Sequence, residues 1–240
     1  MSVYDLNNLQ DLLQQNTYPG RGIVIGVSED GKNAVSAYFI MGRSANSRNR
    51  VFREMENGDL ITAPFDESKV EDPSLIIYNA VRKFGNHLIV TNGDQTDTIY
   101  DALASGKSFL DACETRQFEP DAPNLTPRIS GVLVFPGTGL RYQMSILKSA
   151  DAEGTACNRY YFRYNGLAGV GHFLHTYNCD GNPIPTFTGE PERVAIGSDI
   201  DEFANMMWEN LNEQNKISLY VRYDNLETGE VQKRIFNKNV

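Results

Sequence analysis

Apolar, β-type segments that follow one another across tight turns constrain the fold of this chain more than any other feature of its sequence. Residues 22–27 and 34–41 are rich in Val, Ile and aromatic residues, and the turn between them contains Asp30-Gly31. Strands that are joined by such short turns pair antiparallel. The same pattern predicts further strand pairs at 51–55 with 60–64, 129–135 with 140–147, and 217–223 with 230–236, and two more strands at 159–164 and 169–177.

Helical patterns are fewer and lie between these strand pairs. They predict helices in residues 2–17, 75–82, 99–118 and 199–212, the third interrupted at Gly106-Lys107 and the last capped by Ser198. Asp72-Pro73-Ser74 is a typical start signal for the second helix. Because strands and helices do not alternate as βαβ units, we expect one α+β domain of 240 residues in which sheets pack between helices.

The acidic balance of the chain excludes two classes of partner. With a formal net charge of −9, the protein lacks the excess of Lys and Arg that binds nucleic acid or an anionic membrane surface. A small anionic ligand is compatible with this net charge, since its binding needs only a few local arginines. No apolar run reaches the roughly 20 residues of a membrane span, and no signal peptide is evident, so a cytoplasmic protein is expected.

The cysteines and histidines do not follow a disulfide or metal pattern. Cys113, Cys157 and Cys179 are odd in number and irregularly spaced. His172 and His175 could bind a metal on one face of a helix, but the surrounding glycines and aromatic residues favour a strand, on which these positions face opposite sides. We expect partly buried structural histidines and no metal.

An apolar run that ends in small hydrogen-bonding residues marks a candidate binding site. Residues 88–90 predict a strand, and Asn92-Gly93 predicts a tight turn after it. Residues 96–98 can cap a helix that begins near Ile99. An ordinary turn has the same local pattern, so this segment does not establish a site by itself.

A second candidate segment is basic. Residues 42–50, Gly-Arg-Ser-Ala-Asn-Ser-Arg-Asn-Arg, hold three arginines in an otherwise acidic chain and follow a predicted strand, where ligand-binding groups often gather. A solvated basic loop is the alternative. Tyr78 lies on a segment that leads into the strand at 88–90, and three prolines hold residues 118–128 extended.

Five separated segments together resemble the archaeal-type IMP cyclohydrolases and their bacterial relatives. They are Tyr18-Pro-Gly-Arg21, Gly42-Arg-Ser-Ala-Asn-Ser-Arg-Asn-Arg50, Asp72-Pro-Ser-Leu-Ile-Ile-Tyr-Asn79, Val90-Thr-Asn-Gly-Asp-Gln-Thr-Asp-Thr98 and Leu125-Thr-Pro-Arg-Ile129. Each is weak alone, and their shared order and similar spacing make the resemblance specific. It spans roughly residues 18–190, so residues 1–17 are expected to be an N-terminal helical extension and residues 191–240 an added helix and hairpin.

The resemblance implies a fold and a reaction. The fold is a four-layer αββα sandwich similar to the N-terminal-nucleophile hydrolases, without self-processing. The reaction closes 5-formamidoimidazole-4-carboxamide ribonucleotide to IMP and water in purine synthesis, and needs no cofactor. The partner is then a small-molecule purine ribonucleotide, not nucleic acid or a membrane, and a homo-oligomer stays open.

The resemblance also implies catalytic residues, which are carried over to Arg48, Tyr78 and Glu119. Arg48 would stabilise the oxyanion, Tyr78 would pass protons, and Glu119 would orient the amide or act as base. The family loop has a proline and a single terminal arginine, whereas this chain has Asn46 there and both Arg48 and Arg50. The choice between these two arginines is therefore open.

The expected substrate-binding residues are Arg21, Arg43, Ser44, Asn92, Gly93, Asp94, Asp97 and Arg128. The arginines and the backbone N–H groups of the turn would hold phosphate, and the two aspartates ribose or amide groups. The alternative is a purine-ribonucleotide-binding protein on the same fold without the chemistry. An amide hydrolase of this fold is disfavoured, because no Cys, Ser or Thr begins the first core strand.

Overall fold

Two antiparallel sheets form the framework of this protein. The computed structural model describes residues 4–70, 77–135 and 139–240. Within them, the sheets have six and seven strands, numbered below in chain order. The predicted helix start at Asp72-Pro73-Ser74 lies outside the described residues.

The six-stranded sheet combines strands from both ends of the chain. Its members are β1 (Arg21–Val27), β2 (Asn33–Met41), β10 (Val170–His175), β11 (Glu192–Ala195), β12 (Lys216–Asn225) and β13 (Val231–Asn237). Their spatial order is β11-β10-β1-β2-β12-β13, and each neighbouring pair is antiparallel. β12 therefore lies inside this sheet, between β2 and β13.

The seven-stranded sheet is a meander in which each strand pairs with the next one in the chain. Its strands are β3 (Arg50–Glu54), β4 (Leu60–Pro64), β5 (Tyr78–Phe84), β6 (His87–Thr91), β7 (Arg128–Val134), β8 (Arg141–Ser149) and β9 (Cys157–Asn165). Neighbouring antiparallel strands can be joined by short turns, as β5 and β6 are, although a long segment with two helices joins β6 to β7.

Five α-helices lie outside the sheets in the described residues. They are α1 (Leu9–Gln15), α2 (Ala45–Arg48), α3 (Gln95–Ala104), α4 (Phe109–Glu114) and α5 (Ile200–Asn210). A single 3₁₀ turn, Glu67–Lys69, lies in the predicted loop after β4. No helix among the residues described is long and apolar enough to cross a membrane.

Three apolar clusters define the layers of the molecule. The largest lies between the sheets, where Ile23 and Tyr38 of one sheet belong to the same cluster as Val90 and Met144 of the other. The second joins α1 and α5 to the outer face of the six-stranded sheet, and the third joins α3 and α4 to the outer face of the seven-stranded sheet. The protein is thus an α+β sandwich of helices, sheet, sheet and helices.

The predicted strands are confirmed, but one predicted helix is wrong. Residues 78–84 of the segment predicted as helical form β5, which pairs with β4 and β6. A short apolar run does not distinguish helix from strand, and here the free strand edges on both sides provide hydrogen bonds that a helix would forgo.

The helix ends also differ from the prediction. The first helix is shorter than residues 2–17 and buries Leu9 and Leu13. α3 begins at Gln95, so residues 96–98 lie in its first turn and do not precede it. α5 is capped by Asp199, whose side chain accepts hydrogen bonds from two backbone N–H groups, and not by Ser198.

The two ends of the sandwich differ in how strands are connected. Tight turns join β1 to β2, β5 to β6 and β12 to β13 at one end. At the other end β2 leads through α2 to β3, and β6 leads through α3 and α4 to β7. Long connections supply most ligand-binding side chains in such folds, so this second end is where a site is expected.

Candidate active site

Several strands begin at the end with the long connections, and four of them begin with an arginine or a tyrosine. Arg21, Arg50, Tyr78 and Arg128 are the first residues of β1, β3, β5 and β7. Antiparallel pairing places every second strand start at the same edge of a sheet, and the two sheets face each other. The fold therefore gathers one arginine of the first sheet with three such residues of the second.

Two of these arginines, Arg50 and Arg21, form no ion pair in the described part of the chain; the first is buried and the second is partly buried. Arg50 is 2% exposed, and its Nε donates to the carbonyl of Ser47 at 2.8 Å. The Nε atom of Arg21 is buried and has no hydrogen-bond partner. Burial lowers the pKa of Arg50, and the positive charge of Arg21 lowers it further. Two guanidinium groups that repel each other favour a bound anion.

Glu119 is the carboxylate that faces these arginines. It is 7% exposed, and within the described residues its carboxylate makes no hydrogen bond or ion pair. Burial raises the pKa of Glu119, and Arg21 and Arg128 oppose that change. Opposite charges that share a cluster without an ion pair can each engage polar groups of a ligand.

Two phenols complete the cluster. The hydroxyl oxygens of Tyr38 and Tyr78 lie 2.7 Å apart, and both residues are buried. Burial raises the pKa of Tyr78, while Arg50 and Arg21 act in the opposite direction. Tyr78 is therefore a neutral proton donor and acceptor at physiological pH, next to two cations and one carboxyl group.

The turn after β6 holds the loop that carries Glu119. Asn92 accepts a hydrogen bond from the backbone N–H of Ile129 at 2.8 Å and donates to the carbonyl of Pro127 at 2.9 Å. The backbone N–H of Glu119 donates to the carbonyl of Thr126 at 2.9 Å. Asn92 thus acts through the backbone, by fixing the start of β7 and the loop before it.

Gly93 allows the close approach of this turn to the cluster. A Cβ atom at Gly93 would lie 2.5 Å from Nη1 of Arg128 and 3.4 Å from Oε1 of Glu119. Next to it, Asp94 forms ion pairs with Arg116 at 2.6 Å and with Arg128 at 2.7 Å. The turn therefore positions Arg128 beside Glu119.

Four residues expected at the site lie elsewhere or have other partners. Arg48 is exposed, and its Nε donates to the carbonyl of Gly42. Arg43 is exposed, pairs with Asp180 at 2.5 Å and stacks over the ring of Tyr18. Ser44 caps α2, and Asp97 accepts hydrogen bonds from Asn79 and Arg82. Of the two open choices in the basic loop, the structure brings Arg50 and not Arg48 into the cluster.

Sequence reasoning missed three tyrosines around this cluster. Tyr38 belongs to β2 and was predicted only as part of the strand at residues 34–41. Tyr18 and Tyr177 stack with their ring centroids 5.9 Å apart, and the Tyr177 hydroxyl lies 2.7 Å from Oγ1 of Thr126. Tyr18 stands in the segment Tyr18-Pro-Gly-Arg21, so its position before Arg21 was the available signal.

The histidines lie on β10, as the strand prediction for this segment requires, and that prediction is confirmed. Nδ1 of His172 lies 2.6 Å from the hydroxyl of Tyr142, and its ring stacks on Tyr164. Burial lowers the pKa of His172 to about 4, so this imidazole is neutral at physiological pH. Among residues 4–70, 77–135 and 139–240, no three His, Cys, Asp or Glu side chains are grouped to hold a metal ion.

Arg21 and Arg50, which face a carboxyl group and a phenol pair, define a site for a small polar ligand with acid–base groups beside it. A family model described as IMP cyclohydrolase-like protein matches residues 18–229 of the chain. The protein belongs to this family.

Curated archaeal relatives are similar to part of the chain. The IMP cyclohydrolase of Methanococcus maripaludis (strain C7) is 35% identical over 120 residues, which cover 48% of this chain and 58% of the relative. That of Halobacterium salinarum (strain R1) is 32% identical over 150 residues, covering 60% of this chain and 72% of the relative. The chain thus spans less than two thirds of the first of these relatives.

Proposed function

We propose that this protein is an IMP cyclohydrolase that closes 5-formamidoimidazole-4-carboxamide ribonucleotide to IMP and water. The observation that carries the proposal is the group of partly buried Arg21 with buried Arg50 and Glu119, whose charges face one another without an ion pair in the described residues. Family membership and the names of the curated relatives support this reaction.

The reaction needs an anion-stabilising group and two proton transfers. The carboxamide nitrogen forms a bond to the formyl carbon, and a proton passes from that nitrogen to the formyl oxygen. Loss of water then breaks the carbon–oxygen bond and removes the hydrogen of the formamido nitrogen, which leaves a C=N double bond. Holding both reacting groups of one molecule in contact lowers the entropic part of the barrier.

The cluster contains a side chain for each task. Arg50, with Arg21 beside it, would stabilise the negative charge on the formyl oxygen. Glu119 would accept a proton from the nitrogen, and its raised pKa makes its carboxylate a stronger base. Tyr78 would donate a proton to the departing oxygen. Arg48 has no role in this proposal.

The binding residues follow from the same geometry. Arg128 lies beside Glu119 and would orient the reacting groups together with the turn at Gly93. The phosphate would lie on the exposed side, where Arg43 stacks over Tyr18 and would exchange its ion pair with Asp180 for the phosphate. Asp97 and Ser44 are engaged with protein groups and are not assigned to the ligand. The likeness to N-terminal-nucleophile hydrolases, a cytoplasmic location and a homo-oligomer remain predictions.

The test is formation of IMP from the formylated ribonucleotide, followed by ultraviolet absorbance. The wild-type protein is expected to turn over, and Tyr78→Phe to lower kcat by about 10²-fold, because the proton donor is lost. Tyr160→Phe is the matched control, since Tyr160 is exposed on β9. A folded wild-type protein that binds IMP without turnover would contradict the proposal and favour the non-catalytic nucleotide-binding alternative.

A further inference from the structure

Tyr38 carries a buried hydroxyl that the reaction scheme above does not use. The residue lies on β2 and is fully buried between the sheets. Its ring packs against Phe52 with centroids 5.5 Å apart, so the ring alone serves the core. Its hydroxyl, 2.7 Å from that of Tyr78, needs a separate explanation, because phenylalanine would pack equally well without a polar atom to satisfy.

The direction of the Tyr38–Tyr78 hydrogen bond follows from what each hydroxyl can do with its hydrogen. Among the described residues, Tyr78 is the one hydrogen-bond partner of the Tyr38 hydroxyl. If Tyr78 were the donor, the hydrogen of Tyr38 would be buried without an acceptor, which costs free energy. If Tyr38, which is 0% exposed, is the donor, the hydrogen of Tyr78, which is 6% exposed and closer to Glu119, is left for another acceptor.

The charged groups around the pair support this direction. Tyr78 is influenced by Arg50 of β3, Arg21 of β1 and Glu119 of the loop before β7. Arg21 and Arg50 also act on Tyr38, and both guanidinium groups can only donate hydrogen bonds. The nearby acceptor is therefore Glu119 or an oxygen of a bound ligand, and Tyr78 is the phenol on that side.

We propose that Tyr38 is a positioning residue that donates a hydrogen bond to Tyr78 and thereby directs the hydrogen of Tyr78 toward the departing formyl oxygen. This inference deepens the proposed function and rests on it for the identity of the reacting oxygen. Tyr38 would thus be a second residue in the proton-transfer step, one that contacts Tyr78 and not the ligand.

The kinetic test is a double-mutant cycle on IMP formation. Tyr38→Phe is expected to lower kcat about tenfold and to leave KM unchanged, because the ligand is still bound and only the proton is misdirected. In the Tyr78→Phe background, Tyr38→Phe is expected to have no further effect. An equal loss in both backgrounds, or a loss confined to KM, would overturn the proposal.

Tyr142→Phe is the matched control for a merely structural effect. Tyr142 is equally buried, and its hydroxyl makes one hydrogen bond, to His172 at 2.6 Å, near the opposite end of the sandwich. Both variants lose one buried hydrogen bond, so similar changes in stability are expected. A kcat loss in Tyr142→Phe as large as that in Tyr38→Phe would contradict a specific role for Tyr38.

A second measurement does not depend on turnover. In protein labelled with ¹³C at Cζ of tyrosine, the Tyr78 signal is identified by its absence in Tyr78→Phe, and its titration is followed at alkaline pH. If Tyr38 donates to Tyr78, it stabilises the phenolate, so Tyr38→Phe moves the pKa of Tyr78 to higher pH. A shift to lower pH, or none, would overturn the hydrogen bond from Tyr38 on which the proposal rests. A wild-type protein that makes no IMP would disprove the proposed function, while this titration would still test that hydrogen bond.

Discussion

Arg48 and Arg50 show how a short helix separates two similar side chains. α2 ends at Arg48, whereas Arg50 is the first residue of β3. Arg48 thus lies on the surface and Arg50 between the sheets. Both residues are arginines of the same basic segment, so the local sequence does not distinguish them. Their surroundings differ because the chain changes from helix to strand within two residues.

The first prediction compares these two arginines with the same substitution. Arg50→Met is expected to lower kcat/KM for IMP formation by about 10²–10³-fold, because the oxyanion loses its buried donor. Arg48→Met is expected to stay within about twofold of the wild-type value, since an exposed arginine outside the cluster contributes little. Steady-state kinetics on both variants decides the matter, and a larger loss in Arg48→Met would return the catalytic role to that residue.

The second prediction concerns Glu119 and pH. Its pKa is raised in the folded protein by burial, so the folded state binds this proton more tightly than the unfolded state. The corresponding stability is fully present below the ordinary glutamate pKa and is lost as pH rises through the raised value. The unfolding free energy of the wild type relative to Glu119→Gln should therefore fall as pH rises from the ordinary glutamate pKa through the raised one. Urea unfolding at several pH values measures it, and parallel curves would refute the assignment.

At the scale of elements, the strands were predictable because their pattern is local. Alternating apolar residues and Gly-containing turns identified the hairpins, and both sheets consist largely of hairpins. β5 was not predictable, because its residues favour a strand only when β4 and β6 lie on either side. β11 was missed for a different reason, because a segment of four residues is too short to show a pattern.

The candidate site was predictable in part. Tyr78, Glu119, Arg21 and Arg128 were named from segments that resemble a known family, and the structure brings them into one cluster. Tyr38 was not, because its contact with Tyr78 joins two sheets and leaves no trace in the sequence around either residue. Contacts between sheets depend on packing, which local patterns do not encode.

The third prediction tests the turn after β6 as a spacer. Gly93→Ala is expected to lower kcat/KM by about 10²-fold, because the new Cβ would displace Arg128 and through it Glu119. Gly197→Ala is the control, as a Cβ at that glycine meets no atom within 4 Å. The same assay serves both variants, and unchanged activity of Gly93→Ala would mean that the turn can move without consequence.

At the scale of the whole molecule, one asparagine joins the two sheets along one side. The side chain of Asn237 on β13 accepts a hydrogen bond from the backbone N–H of Phe52 on β3 at 2.8 Å and donates to its carbonyl at 3.1 Å. It also accepts from the hydroxyl of Ser218 at 2.7 Å. These bonds replace the ladder that the edge strands of two different sheets cannot form.

The fourth prediction follows from this connection. Asn237→Ala is expected to lower the unfolding free energy by about 1–3 kcal/mol, because backbone groups of Phe52 lose their partners. Asn158→Ala, on the exposed surface of β9, should change it by less than about 0.5 kcal/mol. Urea denaturation gives both values. If Asn237→Ala lowers kcat as well as the unfolding free energy, this connection between the sheets also affects the active site.

The unequal ends of the sandwich have a consequence for how such a protein can diversify. The tight turns at one end, such as residues 28–32 and 225–230, lie far from the strand starts that carry Arg21, Arg50, Tyr78 and Arg128. Insertions, tags or sequence changes in those turns are expected to leave ligand specificity unchanged. New specificity has to arise in the connections at the opposite end, where each change in length also moves a residue of the reacting cluster.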